Sequence, residues 1–131
     1  MRYDVLMTYF PWVEELANCS LSVIFEQLKM DVKADVDAKN QIDGDNQFTK
    51  YRIAYGPSAL SVTFGEMNLT IDSVSFHQTK TAIEVRDAKH EILFTATPTL
   101  SDDGKCRLKI GKDECELWQF RKRALEALLF R

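Results

Sequence analysis

Lys50-Tyr51-Arg52-Ile53-Ala54-Tyr55-Gly56-Pro57-Ser58-Ala59-Leu60-Ser61-Val62-Thr63-Phe64-Gly65 is the stretch whose reading decides the fold. Tyr51, Ile53 and Tyr55 alternate with Lys50, Arg52 and Ala54; Gly56-Pro57-Ser58 supplies turn chemistry; Leu60, Val62 and Phe64 then resume the alternation as far as Gly65. A period of two puts every second side chain on one side of a pleated strand, so the stretch predicts two strands, each with one face to bury, joined by a tight turn.

Downstream the same pattern continues. Met67, Leu69 and Ile71 keep the phase, but Val74 and Phe76 fall on the opposite parity. The phase therefore slips near Asp72-Ser73, through a β-bulge or a tight turn between two short strands. Ile83 and Val85 alternate with Glu84 and Arg86, and Asp87-Ala88-Lys89-His90 connects them to a strand containing Ile92, Phe94 and Ala96, which Pro98 ends or marks as an edge. Ser101-Asp102-Asp103-Gly104 is a strong turn, and Cys106, Leu108 and Ile110 close the sheet.

Upstream, Met30-Asp31-Val32-Lys33-Ala34-Asp35-Val36-Asp37-Ala38-Lys39 alternates without an error. A helix here would place Val32 and Val36 on the stripe of the preceding helix but spread Asp31, Asp35 and Lys39 along another face. The unbroken alternation favours a strand, followed by a turn at Asp43-Gly44-Asp45-Asn46. Before it, Pro11 suits a first helical turn, Glu14 and Glu15 complement the helix dipole, and Leu21, Ile24, Phe25 and Leu28 form an apolar stripe extended backwards by Val13, Leu16 and Ala17. One helix is expected from about Pro11 to Gln27. A final helix is expected from Asp113, where Asp113 and Glu116 match a capping box. Leu117, Phe120, Ala124 and Leu128 repeat at helical spacing, while Trp118, Leu125 and Leu129 widen the stripe beyond what one sheet face would cover. The expected fold is α+β: a strongly twisted antiparallel sheet of about seven strands, with one N-terminal and one C-terminal helix packed on it. The whole chain, 1–131, reads as a single domain.

A chain of 131 residues buries roughly two-thirds of the surface its unfolded form exposes, enough for one core. Apolar residues at 45% and charged residues at 28% exclude a disordered chain. A net charge of −3 gives no overall attraction to a phosphate backbone, which disfavours nucleic acid as a partner. The three cysteines, Cys19, Cys106 and Cys115, are odd in number and widely spaced, fitting neither a disulfide framework nor a C-x-x-C pair. They read as thiols of a reducing compartment, in a fold stable without metal or disulfide. Met1 to Pro11 lacks a signal-peptide pattern, and no run approaches the roughly 18 apolar residues of a membrane span, so a cytoplasmic protein without a membrane partner is expected.

No motif announces chemistry. Asp43-Gly44-Asp45 begins like a calcium loop, but that loop needs Gly at its sixth position and Glu at its twelfth, where Phe48 and Ala54 stand. His77 and His90 are the only histidines, and none lies at ligand or nucleophile spacing to a cysteine. Among Glu66, Asp72, Glu84, Asp87 and Glu91 no pair is singled out for acid–base work. No catalytic, cofactor or metal residue is therefore expected, and the protein reads as a non-enzyme. The basic, aromatic-rich end formed by Trp118, Phe120, Arg121, Lys122, Arg123 and Arg131 is the one place suited to docking. Its cations also complement the negative end of the last helix. Trp118, Phe120, Arg121 and Arg123 are the candidate partner or oligomer contacts.

This order of elements, from roughly Pro11 to Arg131, resembles the mitochondrial acidic matrix protein family, also called the mitochondrial glycoprotein or complement-receptor-like family. The resemblance implies a doughnut-shaped oligomer, helices against a twisted sheet, and a role in binding other proteins. That family is more acidic and has a longer C-terminal helical region, and no functional residue carries over. Small acidic chaperones of bacterial secretion systems are similar in length and layout but interrupt their strands with a helix. Helix-grip folds, which hold an apolar ligand in a cavity, are a third resemblance. Two helices hardly cover a seven-stranded sheet, and Tyr51, Tyr55, Phe64, Phe76, Phe94, Trp118, Phe120 and Phe130 exceed what a thin core needs. The expectation is a homo-oligomeric protein-interaction module whose partners are itself and another protein. A secretion-chaperone-like dimer or a small-ligand-binding helix-grip protein is the alternative.

Overall fold

Residues 9–44, 49–67 and 69–131 are described by a computed structural model of the chain. Its strands are β1 (Thr49–Gly56), β2 (Ala59–Glu66), β3 (Leu69–Gln78), β4 (Ile83–Arg86), β5 (Ile92–Leu100), β6 (Cys106–Ile110) and β7 (Asp113–Cys115). They form one open antiparallel sheet in which each strand pairs with the next along the chain. Among the described residues three helices accompany it: α1 (Trp12–Asn18), α2 (Leu21–Asp43) and α3 (Leu117–Leu129). The α+β class and the seven-stranded sheet agree with the sequence reading, although the seventh strand is β7 and not the Met30–Lys39 segment.

The phase slip after Ile71 is a β-bulge. Phe64 faces Asp72 and Gly65 faces Thr70, which leaves Ile71 unopposed. The extra residue reverses the parity, so Leu69 and Ile71 are exposed whereas Val74 and Phe76 are buried. Pro98 does not end its strand. β5 pairs with β4 only up to Ala96 and with β6 from Thr97 onwards, so on the β4 flank Pro98 lies at an edge where a missing N–H breaks no ladder.

Leu60, Val62, Val74, Phe76, Ile83, Val85, Ala96 and Leu108 share the buried face. The opposite face carries small and polar side chains, such as the cross-strand sets Arg52–Thr63–Ser73 and Ala54–Ser61–Ser75. Both long helices pack their apolar stripes into the single core: Ile24, Phe25, Leu28, Val32 and Val36 from α2, and Phe120, Ala124, Leu125, Leu128 and Leu129 from α3. Phe120 sits between Phe76 and Phe94, with ring centroids 5.9 and 5.7 Å away. No described helix is long and apolar enough to cross a membrane.

Four expectations are corrected. Met30–Lys39 is helical, because Phe25, Leu28, Val32 and Val36 form one continuous stripe down α2 while Met30 points to solvent. The apparent period of two arises because Val32 and Val36, one turn apart, also satisfy every-second-residue spacing. The N-terminal helix is broken at Cys19-Ser20, where the Ser20 hydroxyl accepts the Val23 N–H at 3.3 Å and starts α2 afresh. Asp113 opens β7 instead of the last helix, whose capping box is formed by Glu116 and Gln119. Finally, Cys19 and Cys106 form a disulfide across 87 residues, leaving Cys115 as the free thiol. The expected Asp43–Asn46 turn begins with Asp43 as the last residue of α2 and Gly44 at a φ of +83°, the left-handed region suited to glycine. Asp45 and Asn46, and the Met1–Thr8 segment on which the leader reading rested, lie outside the described residues.

Candidate functional site

α2 and α3 enclose a surface groove of about 360 Å³. Helical spacing builds both walls: Asp35, Ala38, Lys39 and Ile42 fall at i, i+3, i+4 and i+7 on α2, as do Trp118, Arg121, Lys122 and Leu125 on α3. Leu125 and Leu129 are buried at its floor, whereas Ile42, Trp118 and Phe130 remain 74%, 55% and 67% exposed around it. Large apolar side chains left in water around a concave floor mark a place where burial is still to be gained.

Polar contacts hold the walls. Arg121 donates from Nε to Asp35 at 2.8 Å and from a terminal nitrogen to Asp31 at 3.3 Å, tying α3 to α2. These are the carboxylates that a helix reading would have put off the apolar stripe. Lys39 pairs with Asp43 at 2.6 Å while its ammonium lies 4.8 Å from the centre of the Phe130 ring. Lys122 and Glu126 pair at 3.2 Å along α3. At the groove's end the buried Tyr51 hydroxyl donates to the Leu128 and Leu129 carbonyls, at 2.9 and 3.1 Å, serving the C-terminal acceptors of α3. Burial pushes the Tyr51 phenol up from its ordinary value. Asn40 donates to the Tyr51 carbonyl at 2.9 Å and accepts its N–H at 3.1 Å, so a side chain of α2 imitates a neighbouring strand and shields the β1 edge there.

Of the residues singled out by sequence, Trp118 and Arg121 line the groove. Phe120 is wholly buried in the core and is unavailable to a partner, which corrects that expectation. Arg123 stacks over Phe94 at 4.7 Å and is not among the groove's lining residues. Sequence reasoning missed Ile42, Lys39 and Phe130. The i, i+3, i+4, i+7 pattern of Asp35 to Ile42 was the available signal, masked by the strand reading of Met30–Lys39, which contains most of it.

The two histidines sit in different settings, His77 on β3 and His90 in the connection between β4 and β5. His77 Nε2 lies 2.9 Å from Ser75 Oγ and faces Glu84 across the ladder, a Ser–His–carboxylate set in name. Glu84, however, gives Oε1 to Arg86 at 2.6 and 3.2 Å, so its carboxylate is committed to a guanidinium rather than to orienting the imidazole. Burial, and then the Arg86 charge, lower the His77 pKa. His90 occupies a turn at a φ of +64°. No group of three or more His, Cys, Asp or Glu side chains is placed to hold a metal ion among the described residues.

Fold and groove together define a class: an antiparallel meander covered on one face by helices, with an amphipathic cleft between two of them. No protein-family model, curated protein or solved structure matches the chain.

Proposed function

We propose that this chain is a non-enzymatic, homo-oligomeric protein-interaction module that self-associates through the α2–α3 groove. The observation that carries the reading is the ring of exposed Ile42, Trp118 and Phe130 around a buried leucine floor. Its charges suit a second copy. Asp35 and Lys39 stand one turn apart on one wall, as Lys122 and Glu126 do on the other. Each of these charges already has a partner within the chain, so a twofold-related copy meets an apolar rim with no unpaired charge to bury. Fully burying an apolar side chain of this kind contributes roughly 1.5–3 kcal/mol. Six such side chains across the pair reach the association cost of roughly 4–15 kcal/mol.

The interior favours protein binding over a helix-grip ligand site, since Phe25, Phe76 and Phe120 fill the space between sheet and helices. The order-of-elements resemblance to the mitochondrial acidic matrix proteins, which assemble and bind other proteins, points the same way. Sedimentation velocity tests the proposal: the wild-type chain of 15.1 kDa sediments as an oligomer, and Ile42→Glu with Phe130→Ser sediments as a monomer that keeps the wild-type circular dichroism spectrum. A wild-type monomer at high concentration overturns it.

A further inference from the structure

α1 has no buried residue, in contrast to α2 and α3. Trp12, Val13 and Leu16 are all exposed, and at 7 residues the helix is far below the roughly 12–15 residues at which isolated helices become even marginal in water. It lies beside β5, and two contacts tie its ends to the β5–β6 hairpin. Phe10 lies against Gly104, so closely that a Cβ there would come 2.7 Å from the ring. Cys19, which follows the helix, is bonded to Cys106 at the start of β6. The next helix depends on neither contact, because Ser20 caps α2 independently and five α2 residues are buried in the core.

We propose that the Cys19–Cys106 disulfide is a redox latch on the Tyr9–Asn18 arm, closed under oxidising conditions and opened by a small thiol. Cys19 is buried and Cys106 is exposed, so Cys106 is the sulfur a reductant reaches. The thiolate of the reductant attacks Cys106 Sγ; the S–S bond breaks, its electron pair leaves on Cys19, and Cys19 takes up a proton. A second thiolate then displaces the mixed disulfide, leaving a Cys106 thiol and the oxidised reductant, a two-electron exchange. Cys115 faces Leu108 on β7, and burial pushes its thiol up, which keeps it protonated and leaves the attack to the external thiol. An opened latch frees an arm in which Tyr9, Phe10, Trp12, Val13 and Leu16 are apolar and Glu14 and Glu15 are acidic. In a reducing cytoplasm the arm is therefore released, and in an oxidising compartment it is docked.

Hydrogen exchange read by mass spectrometry tests the latch on the full chain carrying Cys115→Ser, which removes the free thiol and any reshuffling. Oxidised protein is compared with protein equilibrated in dithiothreitol. Reduction is expected to lower protection about tenfold or more in peptides covering residues 9–19, towards the fraying end of the native range, with α2, α3 and the sheet unchanged. Cys19→Ala with Cys106→Ala should reproduce this pattern without reductant. In a Trp118→Phe background Trp12 is the sole tryptophan, and its fluorescence should become more accessible to acrylamide on reduction. Unchanged exchange in the arm overturns the proposal, because other contacts then hold it. Loss of protection across the whole domain overturns it too, because the disulfide is then a structural staple. Neither result bears on self-association through the groove.

Discussion

Tyr51→Phe removes one oxygen and leaves the rest of its surroundings intact. The ring keeps its packing against Phe64, centroid to centroid 5.0 Å, and Asn40 keeps its two bonds because both go to the Tyr51 backbone. What is lost is a buried hydroxyl shared by the Leu128 and Leu129 carbonyls. A hydrogen bond nets roughly 0.5–1.5 kcal/mol, and a buried polar group left without a partner costs roughly 1–3 kcal/mol. One donor serves two acceptors that are the last of a helix, so a loss of about 2 kcal/mol is expected. In urea, with a slope of roughly 1–3 kcal/mol per molar for small proteins, the midpoint falls by about 1 M at unchanged slope. A second signature lies at high pH. The folded-state phenol pKa is raised, so its contribution to stability is complete below the unfolded value near 10 and is lost as pH climbs towards the folded pKa. The variant should lack that part of the alkaline decline. A midpoint within error of the wild type would show that α3 does not depend on this hydroxyl.

Phe120→Ala, which empties the space between Phe76 and Phe94, is expected to cost about 3–5 kcal/mol in the same titration. Trp118→Ala, on the exposed rim, should change stability by less than about 1 kcal/mol while weakening self-association in sedimentation. Asp103 accepts two bonds from Arg107 and one from the Lys105 N–H, which hold its pKa down at about 2. Its contribution is therefore present above the unfolded value of 3.8 and disappears as pH falls towards about 2. Carboxyl chemical shifts followed by NMR should give that low midpoint in the wild type and move it upwards in Arg107→Gln.

The middle of the chain was legible because strand alternation there is punctuated by turn chemistry. Gly56 and Ala59 pair around the Pro57-Ser58 turn, and the parity change after Ile71 is visible as a bulge. Met30–Lys39 was not legible, since a stripe containing Val32 and Val36 fits both periods locally and only its continuity with Phe25 and Leu28 separates them. Ser20, a good cap residue inside an apolar stripe, was the available sign of the helix break. The disulfide could not be read from spacing, because the meeting of Cys19 with Cys106 is a product of the tertiary fold. The groove needed both helices placed: Ile42 and Trp118 lie far apart in sequence, and neither pattern alone signals a shared cleft.

The unbroken next-neighbour pairing of the sheet has a kinetic consequence. Hairpins close through short loops at little entropic cost, so the ladders can assemble outward from any tight turn. The last encounter is then between the two ends of the polypeptide, since Arg121 must find Asp35 and Asp31 across separations of 86 and 90 residues. Destabilising that helical clasp should accelerate unfolding more than it retards refolding.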